Sequence, residues 1–299
     1  MASGFAACDG GGAAGSGVAT DESAREEACE PAPLDLTGLF AVQATLNVAV
    51  DSPAIGVPIP PATSSILLLA GMAQEGEAVA ITAQICQIEI PAVVLENSDE
   101  AITFEPHEDL VASIGASTSR GRLGATETCA TFQGDPITAV AGAVLATPDA
   151  PLPETCCEGG TDGQPPTCAR TAPSVAACAC DQEGDGHCGA TVYAHNTPVP
   201  IDEIYVTLRT SFALDGTVPS GDRIEGKVVT PEGARLIEQS VVGCSRGGEP
   251  CIQGFVDAVR SLNPIITQNP DEPSTFLGRR VAGDLDCAGF VAIRDSLFR

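Results

Sequence analysis

The sequence predicts an all-β protein: an antiparallel barrel or sandwich of about ten strands, with a disulfide-stapled insertion and one or two short helices. Three observations lead there. Apolar residues recur at every second position over much of the chain, the period of a strand with one buried face. Only one stretch repeats clearly at helical spacing. A central segment, 150–189, is rich in Pro, Gly and Cys and poor in branched apolar residues.

The opening strand is FAVQATLNVAV (40–50). Phe40, Val42, Ala44, Leu46, Val48 and Val50 share one face, and Gln43, Thr45 and Asn47 the other. IYVTLRTSFAL (204–214) repeats the pattern, with Ile204, Val206, Leu208, Phe212 and Leu214 inward and Tyr205, Thr207, Arg209 and Ser211 outward. DRIEGKVVT (222–230) alternates as well. Weaker strands are expected at 63–73, 78–90, 109–117, 125–132, 190–196, 235–242 and 276–283. In 78–90 the apolar face switches between Ile85 and Ile88, the mark of a bulge or bend. The helix is CIQGFVDAVRSLN (251–263), with Ile252, Phe255, Val256, Val259 and Leu262 as its stripe and Asn263-Pro264 as its stop. CAGFVAIRDSLF near the C-terminus fits helix or strand equally.

Composition narrows the setting. Against 40 Asp and Glu stand 14 Lys and Arg, a formal charge of −26. Such a surface repels phosphate backbones and anionic lipid, which argues against nucleic-acid binding and favours cations. Thirteen cysteines without the spacings of zinc or haem motifs point to disulfides in an oxidising compartment. The odd number leaves one over. In GFAACDGGG, Cys8 follows small residues as in a bacterial lipoprotein signal, which makes it the candidate for lipidation. No basic or strongly apolar stretch precedes it, so the chain as given would begin inside such a signal; an ordinary tail cysteine is the alternative. Residues 1–33 are expected to form a disordered tether, rich in Gly, Ala, Ser and Glu. The β domain then divides into a first half (34–149), the stapled insertion (150–189) and a second half (190–299), both halves contributing to one sheet system. The longest apolar runs fall far short of the ~20 residues a membrane helix needs.

The stretch CACDQEGDGHCG (178–189) carries the one specific chemical signal. Asp181, Glu183 and Asp185 occupy positions 1, 3 and 5 of a Ca²⁺ loop, Gly186 supplies the sharp turn at position 6, and His187 offers its carbonyl at position 7. Position 12, where an EF-hand places its bidentate Glu, is Val192, so a complete shell would need Asp202 or Glu203. The competing readings are a glycine-rich turn closed by a Cys180–Cys188 disulfide, its charges merely solvated, and a Zn²⁺ site of Cys178, Cys180, His187 and Cys188. The loop resembles the short calcium loops of thrombospondin type 3 repeats and dockerins, with Glu where Asp is usual at the third position.

A wider resemblance covers about 36 to the C-terminus. The opening strand after LTG, the strand with one cysteine (AQICQIEI), the acidic loop running into TVYA, then IYVTLRT and RIEGKV occur in an order similar to a group of uncharacterised secreted lipoproteins of myxobacterial type. In that group Pro commonly stands where this chain has Cys188. The resemblance implies secretion, a lipid anchor and β architecture.

Catalytic patterns are sparse. GCSRG (243–247) matches G-x-S-x-G and puts Ser245 where a hydrolase nucleophile would stand, but Cys244 and Cys251 bracket the turn as a local disulfide pair. His107, His187 and His195 have no metal spacing, and 4% aromatic content is little for sugar-stacking platforms. The expectation is a non-enzymatic secreted or surface-anchored protein with a structural Ca²⁺ site. It would act in envelope structure, adhesion through a protein partner, or binding of a small apolar ligand in an interior lined by Phe40, Leu46 and Leu208. A secreted serine hydrolase using Ser245 is the alternative.

Overall fold

The computed structural model describes residues 29, 34–51, 59–92, 100–125, 129–159, 164–170, 177–197, 200–231, 235–261 and 264–299. Cys8 and nearly all of the expected tether lie outside them. The first half holds β1 (Gly38–Asp51), β2 (Ala62–Glu75), β3 (Ala78–Glu89), β4 (Thr103–Pro106), α1 (Leu110–Ser113), β5 (Ser117–Ala125), β6 (Ala130–Gly134), β7 (Ile137–Ala141) and β8 (Ala143–Val144). After the insertion come β9 (Cys178–Ala179), β10 (Ala190–His195), β11 (Glu203–Ser220), β12 (Arg223–Val229) and β13 (Ile237–Arg246). The chain ends with β14 (Glu249–Pro250), α2 (Gln253–Ser261), β15 (Ile265–Gln268), β16 (Thr275–Val281) and α3 (Cys287–Leu297).

Antiparallel pairing runs β1–β2–β3–β5–β6–β11–β12–β16 and returns to β1, so the sheet closes into an eight-stranded barrel. Strands from both halves of the chain form this one ring. Eight strands enclose a space that side chains just fill. Phe40, Leu46, Phe132, Phe212, Leu214, Ile224 and Phe276 meet there in one buried cluster, while Leu208 is only half-buried at its margin. At one end Arg280 lies over the Phe40 ring, 4.9 Å from its centroid. Its guanidinium donates to the carbonyls of Asp35, Thr37 and Gly221 and pairs with Asp222, joining the entry to β1 to the β11–β12 turn.

Strand alternation predicts most elements well, and the departures have local causes. The expected strand at 109–117 is instead the short helix α1 followed by β5. Leu110 and Ile114 are the buried pair, four residues apart, which is helical spacing. The expected strand at 125–132 is split between β5 and β6. The bulge expected after Ile85 is present: Ile85 pairs with Leu68 and Gln87 with Leu67, leaving Cys86 as the extra residue. Cys86 bonds to Cys287 and fastens α3 to the barrel wall. The ambiguous C-terminal segment is therefore helix, capped by Asp286, which accepts from the Gly289 N–H at 2.8 Å. Its Phe290 covers the outward Ala41, Leu67 and Leu69. In α2, Val256 is buried against the barrel, but Ile252 precedes the helix and is 79% exposed, off the expected stripe.

Six disulfides engage every cysteine except Cys8, and they indicate an oxidising environment. Among the described residues no helix is long and apolar enough to cross a membrane.

Candidate metal centre

The insertion lies against the outward face of β11. Thr207 Oγ1 donates to Pro153 O at 3.0 Å, and Arg209 donates to the carbonyls of Pro148 and Ala150. Tyr205 and Thr207, expected to face solvent, are buried for this reason. The insertion is stapled by Cys156–Cys188, Cys157–Cys178 and Cys168–Cys180.

The Cys180–Cys188 bond of the competing reading does not form; two separate clamps stand in its place, one at each end of the acidic loop. Backbone hydrogen bonds already close the loop's neck: Gly189 N donates to Cys180 O at 3.0 Å and Gln182 N to Gly189 O at 3.3 Å. Both cysteines are left to reach outward, Cys180 into the buried cystine cluster and Cys188 to Cys156. The thiolate set proposed for zinc does not exist here, because Cys178, Cys180 and Cys188 are all oxidised.

Within the neck the chain makes a tight turn around Asp181, with Gly184 and Gly186 at φ of 86° and 88°. The buried Asp181 carboxylate accepts from the N–H of Gly184 at 2.6 Å and of Gly186 at 3.0 Å. Asp185 accepts from His187 N at 2.8 Å and from Thr191 Oγ1 at 2.7 Å. Glu183 Oε1 accepts from Thr191 N at 3.0 Å, while its Oε2 is buried without a hydrogen-bond partner. Gln182 rivets the loop to the first half of the chain, accepting from Gly142 N and donating to Ser113 O. Gly142 must be glycine, since a Cβ there would run into Val206 O and Ala190 N.

Asp181, Glu183 and Asp185 each bring a carboxylate oxygen within 4.8 Å of the others, a cluster that can hold a metal ion. The Glu183 carboxyl is raised to about 7, chiefly by burial and also by the charges of Asp185 and Asp181, against the opposing N–H of Thr191. An oxygen that is desolvated, unpartnered and set among other carboxylates is what a cation would relieve.

His187 is held by its ring, stacked on Tyr205 at 4.3 Å and 9°. Asp202 and Glu203, considered as completing ligands, have other partners. Asp202 accepts from the N–H groups of Gly247 and Gly248, and Glu203 Oε2 accepts from Tyr205 OH at 2.6 Å and Ser245 Oγ at 2.9 Å. Sequence reasoning missed Thr191, which braces two of the three carboxylates from β10; its only signal was a hydroxyl at loop position 11. Ser245 is buried at the end of β13, bonded to Glu203, and its turn leads into β14 rather than a helix. Cys244–Cys251 brackets that turn.

No protein-family model matches this chain, and neither curated proteins nor solved structures give a match.

Proposed function

We propose that this chain is a non-enzymatic, secreted or surface-anchored barrel protein whose acidic loop binds a structural Ca²⁺. The observation that carries the reading is Glu183 Oε2, buried and unpartnered between two further carboxylates. Three hard oxygen donors with no nitrogen or sulfur among them suit Ca²⁺ over zinc or copper. The ion would neutralise charges that otherwise repel, and so hold the insertion against β10 and β11. Cys8, the one cysteine outside the disulfides, is the proposed lipidation point. Envelope structure or adhesion suits the barrel better than carriage of an apolar ligand, because its own phenylalanines and leucines fill the interior.

Calorimetric titration with Ca²⁺ tests the site. The wild-type protein should give saturable one-site heat, and Asp181→Ala/Asp185→Ala should give none. Equal heats from the two proteins, or none from either, would remove the site. The hydrolase alternative requires a base at Ser245 Oγ; the group there is a carboxylate shared with Tyr205, and no fluorophosphonate labelling of Ser245 is expected.

A further inference from the structure

Aromatic residues are scarce in this chain, yet its distribution of polar rings is uneven. All three histidines and both tyrosines lie on or beside the outward face formed by β4, β10 and β11. Ala190 and Val192 of β10 pack into the inner core, so by alternation Thr191, Tyr193 and His195 turn outward. His107 follows β4, with its ring 6.0 Å from that of Tyr193, and His187 stacks on Tyr205 at the other margin. At the centre, Tyr193 stands in cross-strand register with Glu105 on one side and Glu203 on the other.

We infer that this face docks an arginine-bearing peptide segment of a partner, with a guanidinium over the Tyr193 ring between Glu105 and Glu203. Charge complementarity selects the occupant. The segments that build the face, 101–109 and 177–206, contain eight Asp and Glu and not one Lys or Arg. Tyr193 feels that field: burial raises its hydroxyl above the ordinary tyrosine range, and Glu203, Asp185, Glu108 and Glu183 push in the same direction. A planar guanidinium stacks on an aromatic face and meets carboxylates edge-on, which a compact ammonium does less well. The row is accessible, because Tyr193 and Glu203 are half-buried and Glu105 and His195 exposed.

Fluorescence polarisation with a fluorescein-labelled Gly-Arg repeat peptide, in the presence of Ca²⁺ and physiological salt, tests the assignment. Because a chain of this charge attracts any polycation, variants must separate place from charge. Tyr193→Leu, which leaves the charge unchanged, and Glu105→Gln should each weaken binding about fivefold or more. Asp271→Asn/Glu272→Gln, exposed in a turn elsewhere, should leave it within about twofold. Unchanged thermal midpoints would show that the variants fold. Absence of binding, an unaffected Tyr193→Leu protein, or losses that track charge removed regardless of place would each overturn the inference.

Discussion

Replacing Glu183 by Gln should change stability in opposite directions according to pH and metal. The wild-type carboxyl rises from the ordinary 4.5 to about 7 in the folded, metal-free protein. Between those values the native state holds a proton that the unfolded chain has released, so wild-type stability falls as pH rises from 4.5 through 7. For a carboxyl wholly removed from water the rise corresponds to about 3 kcal/mol. Glu183 is only half-buried, and solvent screening reduces this to about 1–2 kcal/mol. Glutamine keeps the shape and carries no charge. In chelator at pH 8 the variant should therefore be the more stable by that amount, about 3 °C in melting temperature, with the gap closing near pH 4.5. With saturating Ca²⁺ the order should reverse at pH 8, because the variant has lost a charged ligand while the wild-type ion displaces the proton. Thermal unfolding of both proteins at pH 4.5 and 8, with chelator and with Ca²⁺, provides the comparison. A variant destabilised equally at both pH values in chelator would show that Glu183 carries no burial penalty, and the reasoning would fail.

Three further outcomes are expected. Thr191→Val removes the hydroxyl that orients Asp185 while preserving the β-branched shape, and should weaken Ca²⁺ binding about fivefold in calorimetry, with the fold intact by circular dichroism. Arg280→Met strips the cover from Phe40 and leaves the carbonyls of Asp35, Thr37 and Gly221 without their donor; it should lower unfolding free energy by about 2 kcal/mol in denaturant titration. Non-reducing peptide mapping should recover Cys156 joined to Cys188 and Cys168 joined to Cys180; a peptide joining Cys180 to Cys188 would contradict the loop architecture.

The legible part of the candidate site was its cluster of three carboxylates. Carboxylates at alternate positions before a glycine declare their geometry locally, since the turn that gathers them is built within the same few residues. The illegible part came from elsewhere in the chain. Thr191 braces the carboxylates only because β10 leaves the loop in one direction, and Asp202 and Glu203 are diverted to Gly247, Gly248, Tyr205 and Ser245 by the pairing of β11 with β13. Thr207 reads as an outward residue from its parity, and is buried because the insertion folds over it.

What the sequence determined by itself was the inward face of the clearly alternating strands, the place of the bulge at Cys86 and the carboxylates of the acidic loop, because each depends on neighbours one to five residues away. Closure of the barrel, the partner of each cysteine and the gathering of every histidine and tyrosine around one sheet face were decided only in the tertiary structure. Period-2 alternation tells a strand which side is buried and nothing about which strand lies beside it. Disulfide pairing likewise follows spatial approach, as between Cys86 and Cys287, which lie 201 residues apart along the chain and 4.9 Å apart between their Cα atoms.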